Sequence, residues 1–130
     1  MMHGPYFIPD NARLVLVRGL PGSGKSTFAK SLPGFIHFEA DMWQMDADGN
    51  YKFGIIPPRA AHENCQNAAR LCLEAGYNVV VSNTFTRPWE LQPYYNMRHD
   101  LHEIVMTGDY GNIHGVPESV IQDMRDRWED

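Results

Sequence analysis

The run Gly19-Leu20-Pro21-Gly22-Ser23-Gly24-Lys25-Ser26, followed by Thr27, packs three glycines, a lysine and three hydroxyls into nine residues. It satisfies G-x-x-x-x-G-K-[ST] in full, the phosphate-binding loop pattern. The chemistry follows from the residue types. Glycines let backbone N–H groups converge on phosphate oxygens, and a following helix points its positive end at them. Lys25 has the reach and charge for the β- and γ-phosphates of a nucleoside triphosphate, and the Ser26 hydroxyl suits Mg²⁺. Residues 19–27 are therefore the expected nucleotide site, with a nucleoside triphosphate and Mg²⁺ as its ligands.

A phosphoryl-transfer site also needs a carboxylate. The run Val79-Val80-Val81 ends in Ser82-Asn83-Thr84, with no acid at the usual place. The stretch "FEADMW" instead supplies Glu39 and Asp41. Asp41, one step beyond the strand end, is the preferred candidate, either as proton acceptor from an attacking hydroxyl or as a holder of Mg²⁺ through water. Asn83 and Thr84 offer neutral hydrogen bonds to a sugar or phosphate at the same sheet edge. His62, at the start of a helix, faces either the acceptor channel or solvent. Trp43, Trp89, Tyr94 and Tyr95 are candidate base platforms, with core packing the more common use of such residues. The "DADGN" stretch fails as a calcium loop, because its twelfth position is Ile55 rather than Glu.

The elements that must position these groups alternate. "RLVLVRG" (13–19), "FIHFEA" (35–40), "NVVVSNT" (78–84) and "HEIVMTG" (102–108) read as strands, the first and third buried on both faces. Helices are expected over 25–32, over 58–75 and from Pro117 onward, with a Pro93-interrupted helical stretch at 87–100 and a small hairpin at 45–53. Ala61, Cys65, Ala68 and Cys72 mark the inner face of the long helix. Val120, Ile121, Met124 and Trp128 mark that of the last. Strands alternating with helices mean an α/β fold, a three-layer P-loop NTPase arrangement with a short, mainly parallel sheet flanked by helices. Residues 1–130 form one such domain, with 1–12 as an N-terminal extension.

Composition bounds the function. The chain carries 11 Lys+Arg against 16 Asp+Glu, a formal charge of −5. That argues against coating a long nucleic-acid backbone and leaves room for gripping a strand end. No basic leader or long apolar run is present, so the expected location is the cytoplasm, with no membrane partner. Cys65 and Cys72 are separated by ~10.5 Å along one helix, too far for a disulfide.

The blocks "LVRGLPGSGKST", "ADMW…DGNYKF", "AHENCQNA", "VVVSNTFTRPWELQPY" and "NIHGVPESVIQDMRDRWE" resemble the short P-loop proteins related to phage polynucleotide 5′-kinase, a group often labelled AAA- or zeta-toxin-like ATPases. The resemblance implies a kinase-like fold and Mg²⁺-dependent transfer from ATP to a 5′-hydroxyl of DNA or RNA. It gives Lys25 and Ser26 the phosphate and metal roles and Asp41 the general-base role. His114, in the turn before the last helix, either borders the adenine or serves plain turn chemistry. Gln44 occupies the acceptor-phosphate position, where the polynucleotide kinases carry Arg. Ser82 stands where relatives have Asp, and Gly111 where relatives have a lid Arg. Arg87, Arg98, Arg125 and Arg127 are the cations available to replace it. A small-metabolite or nucleoside kinase, and an ATP-binding regulatory module, remain the alternative readings.

Overall fold

The computed structural model describes residues 1–108 and 116–129. A short antiparallel hairpin, β1 (Met2–His3) with β2 (Tyr6–Phe7), precedes the main sheet. That sheet has four strands: β3 (Leu14–Gly19), β4 (Phe35–Phe38), β5 (Asn78–Asn83) and β6 (Leu101–Met106). Their spatial order is β4-β5-β3-β6, and every neighbouring pair is parallel. Helix α1 (Lys25–Lys30) follows β3, and α2 (Pro58–Glu74) lies between β4 and β5. The short α3 (Gln92–Tyr95) precedes β6, and α4 (Glu118–Asp126) closes the chain.

Why β3 is central can be read from its side chains. All six of its residues are buried, and alternate positions feed opposite cores. Leu14 and Leu16 join Val79, Val81, Cys65, Ala69, Leu73 and Tyr94 on one face. Val15 and Val17 join Val80, Ala29, Leu32 and Ile104 on the other. The sheet with helices on both faces is the expected α/β P-loop kinase arrangement. Ile8 and Ala12 enter the second core, so residues 1–12 contribute packing rather than only extending the chain.

Some boundaries move. The strand expected over 35–40 stops at Phe38, because Ala40–Trp43 winds into a 3₁₀ turn that carries Asp41. The stretch 87–100 breaks into a 3₁₀ turn, Pro88–Glu90, and α3, with Pro93 in the first turn of α3 rather than interrupting a helix. The buried stripe of α2 is Ala61, Cys65, Ala69 and Leu73, not Ala61, Cys65, Ala68 and Cys72. The strict four-residue step keeps the stripe over β5 and the 3₁₀ turn. In the hairpin region only a Met45–Tyr51 bridge forms, around a turn in which Asp46 Oδ1 accepts from the N–H groups of Asp48 and Asn50.

Candidate active site

The phosphate loop owes its shape to its glycines. Gly22 and Gly24 sit at φ 85° and 87°, the left-handed region that other residues enter at a cost. Gly19 is held by crowding instead: a Cβ there would lie 2.2 Å from Ser23 Oγ and 3.1 Å from the Met106 carbonyl. Ser23 is itself buried, so it has little room to yield. Gly19→Ala is expected to displace the loop, lowering ATP affinity and costing about 1–3 kcal/mol of stability. Titration calorimetry and urea unfolding check both. Gly19→Ala combined with Ser23→Gly should recover part of each loss.

Strand register brings the loop and the carboxylates together. Phe38 pairs with Val81, which sets Glu39 level with Ser82, and Arg18 pairs with Asn83 beside the loop. The Asn83 side chain then fixes the exit of β4, its Oδ1 accepting from the Ala40 N–H at 2.8 Å. Asn83 thereby anchors the turn bearing Asp41.

A cavity of about 400 Å³ opens over this edge. Pro21, Gly22, Gly24, Lys25, Ser26 and Thr27 form its floor, with Glu39, Asp41, Asn83 and Thr84 beside them. Tyr51, Phe53 and His62 border one side, and Val116, Val120, Met124 and Arg127 supply another wall. Gly19, Leu20 and Ser23 lie outside the cavity lining, and the Leu20 carbonyl accepts from the Ser23 N–H within the loop. Gln44 is the expected site residue that the fold places elsewhere. It is buried, and its carboxamide donates to the Ile56 carbonyl and accepts from the Ile56 N–H, bracing the segment after the turn. The short, neutral Gln side chain thereby ties residue 44 to the Ile56 backbone. His114 lies outside the described residues, as does Gly111.

Burial is the largest influence on the titrating groups of the cavity, and the charge of Asp41 is felt at three of them. Burial lowers the Lys25 pKa, and the charges of Glu39 and Asp41 oppose that shift. Burial pushes the Tyr51 phenol up to about 12, and Asp41 adds to the rise. Burial also lowers His62, against the pull of Glu90 and Asp41. The unfolded chain protonates His62 near the ordinary value of about 6.5. The folded protein does so only at lower pH, so stability falls as pH drops from about 6.5 toward that depressed value. His62→Gln should flatten this part of the stability–pH curve, measured by urea unfolding.

Glu39 is more tightly held than its sequence position suggested. Its Oε2 accepts from Ser26 Oγ at 2.5 Å and from Ser82 Oγ at 3.1 Å. His37 Nε2 lies 2.6 Å from Ser82 Oγ and 3.8 Å from the same carboxylate oxygen. Nothing in the sequence pattern singled out His37 or Ser82 for this. Among the four candidate cations, Arg127 alone borders the cavity, its Nε donating to Thr86 Oγ1 at 3.3 Å. Arg98 is paired with Asp100, Arg125 with Glu118, and Arg87 with Glu129.

Residues 14–106 match the model of a family described as an AAA domain. The chain belongs to that family. It is 31% identical over 134 residues to NEDD4-binding protein 2 of Homo sapiens, aligning 89% of itself but spanning only 8% of that protein. Among solved structures, it resembles a chain of the Pnkp1/Rnl/Hen1 RNA repair complex at TM-score 0.65 and 16% identity, covering 96% of itself and 46% of that chain. It resembles a gluconokinase from Sinorhizobium meliloti 1021 at TM-score 0.63 and 20% identity, covering 92% and 77%. Fold and family together make this member of the AAA-domain family a P-loop domain with a kinase-like fold. Among the described residues, no helix is long and apolar enough to cross a membrane.

Proposed function

We propose that the protein transfers the γ-phosphate of ATP to a 5′-hydroxyl at the end of DNA or RNA. One observation carries this reading: Asp41 shares a single cavity with the Lys25–Ser26 loop and is flanked there by Tyr51, Phe53 and His62. Lys25 and the loop amides bind and orient the triphosphate, with Thr27 at the loop's end. Val116, Val120 and Met124 offer an apolar wall to the base. Asp41 accepts the proton of the acceptor hydroxyl as it attacks in line. Asn83 keeps Asp41 in place, while Thr84 and His62 offer hydrogen bonds to the acceptor. Phe53, 69% exposed at the cavity edge, suits stacking of a terminal base.

The residues present fit Mg²⁺. Ser26 gives its proton to a buried carboxylate, so its oxygen lone pairs are free for a hard cation. Mg²⁺ held there by Ser26 would supply charge neutralisation for the triphosphate. The Pnkp1 likeness supports a nucleic-acid acceptor. The gluconokinase likeness, together with the net charge of −5, supports a small hydroxylated acceptor as the second reading.

The test is transfer of labelled γ-phosphate, run on 5′-hydroxyl DNA and RNA oligonucleotides and on a panel of sugars and nucleosides. Labelled oligonucleotide ends support the proposal. Label found only in a small alcohol replaces it with the second reading. ATP binding without transfer to any acceptor makes the chain a regulatory nucleotide-binding module.

A further inference from the structure

We infer that Glu39, on the exit of β4, is the carboxylate that orders the water shell of the nucleotide-bound metal, with Ser82 and His37 as its positioning residues. The inference rests on the reading of the site as an ATP·Mg²⁺ site and assigns a part that β5 leaves empty. Sites of this kind pair the loop hydroxyl with an acid, and the acid is expected at the end of a core strand. Here β5 ends in Ser82-Asn83-Thr84. The register explains the exchange. Phe38 pairs with Val81 on the adjacent parallel strand, so Glu39, just past the end of β4, stands level with Ser82. A second acid at 82 would place two carboxylates against one another, raising the pKa of one of them.

The hydrogen bonds all run toward Glu39. Ser26 Oγ and Ser82 Oγ both donate to Oε2, at 2.5 and 3.1 Å. A hydroxyl has one proton, and that of Ser82 is spent on Glu39. The 2.6 Å contact between Ser82 and His37 must therefore have His37 Nε2–H as the donor. The result is a directional chain, His37 to Ser82 to Glu39, met from the other side by the loop serine. Both hydroxyls converge on Oε2, and Glu39, although 8% exposed, borders the cavity. Its Oε1, which accepts from none of the described residues, is the oxygen available to metal-bound water. Burying a carboxylate is costly unless its partners repay the lost hydration. Two hydroxyls and a facing Lys25 do part of that, and a divalent cation completes it. No cluster of three or more His, Cys, Asp or Glu forms a protein-only metal site among the described residues. That fits a cation held by nucleotide oxygens, one serine and water.

The role of Asp41 narrows accordingly. Weighed in the sequence as both base and water-mediated metal holder, it keeps the first part and yields the second to Glu39.

Calorimetric titration of ATP into the whole protein, with Mg²⁺ and again with EDTA, separates the possibilities. Wild type should bind ATP more tightly with Mg²⁺. Glu39→Gln should lose about 10–100-fold of that metal-dependent gain while binding metal-free ATP at least as well, because a negative charge near the phosphates has gone. Ser82→Ala should lose a smaller part of the gain, a result that a purely structural serine would not produce. Mn²⁺ with ATP, followed by electron paramagnetic resonance, should report weakened ion retention in Glu39→Gln. If Glu39→Gln unfolds, Ser82→Ala and Glu39→Asp carry the same comparison. A full Mg²⁺ gain in Glu39→Gln, or in both of the other two, overturns the inference while leaving the ATP site standing. Failure of wild type to bind ATP in either condition overturns that site and the inference together.

Discussion

Asp41→Asn should lower phosphoryl transfer by about 10²- to 10⁴-fold, the range a positioned general base contributes, with ATP still bound. The carboxamide fills the same space, so the 3₁₀ turn Ala40–Trp43 and its Asn83 anchor should survive. What disappears is the capacity to take a proton, along with one negative charge that Lys25, Tyr51 and His62 all feel. The sign of the second effect is definite. Burial already lowers the Lys25 pKa, and Asp41 is one of the two charges opposing it. In the variant that pKa falls further, so the loss of lysine charge at high pH, and of ATP affinity with it, should begin at a lower pH than in wild type. Single-turnover labelling measures the first effect and calorimetry across pH the second. Near-normal transfer by Asp41→Asn would remove Asp41 from the chemistry.

Much of the site was legible because it is local. The phosphate loop is a contiguous string whose glycines, lysine and serine each answer a separate physical need. Strands β3 and β5 are apolar runs buried on both faces. Asp41 drew notice from its place just beyond the strand expected over 35–40. What escaped notice depends on contacts between distant segments. Glu39 ranked second to Asp41 because the sequence shows neither the register that sets it beside Ser82 nor the His37 ring behind them. Gln44 looked like a ligand because its position in the chain suggested one, whereas its side chain is absorbed by the Ile56 backbone twelve residues on. The α2 stripe slipped by one residue because two faces of that helix are nearly equally apolar, and only the neighbours decide between Ala68 and Ala69. Arg127 was separable from Arg87, Arg98 and Arg125 only once their acidic partners were in place.

The largest expected loss of stability comes from a residue that no motif marks. Arg18→Met should cost about 3–5 kcal/mol, the range for breaking a buried charged network by removing one partner. Arg18 stands on β3 directly before Gly19 and is 2% exposed. Its Nε and Nη2 donate to the Phe85 carbonyl at 3.0 and 2.8 Å. Nη2 also donates to the Glu129 carbonyl at 2.5 Å, and Nη1 lies 3.8 Å from Glu103. The guanidinium sits 4.6 Å from the centre of the Trp128 ring. Methionine fills the volume but leaves the Phe85 and Glu129 carbonyls without their donor and removes the cation facing Glu103. Phe85 makes the loss greater, since its φ of 49° is a left-handed conformation that a non-glycine residue holds only under restraint. The paired donation onto its carbonyl is such a restraint. Arg18→Lys should rescue little, because a single ammonium cannot reproduce the planar fork that serves Phe85 and Glu129 together. The effect should also reach the nucleotide. The Glu129 N–H donates to the Thr86 carbonyl, and Thr86 and Arg127 both border the cavity. Releasing the tail therefore loosens the α4 side of the site, and ATP affinity should fall even where the variant remains folded. Urea unfolding and calorimetry on both variants test the two halves separately, and a wild-type midpoint for Arg18→Met would show that the tail is held by something else.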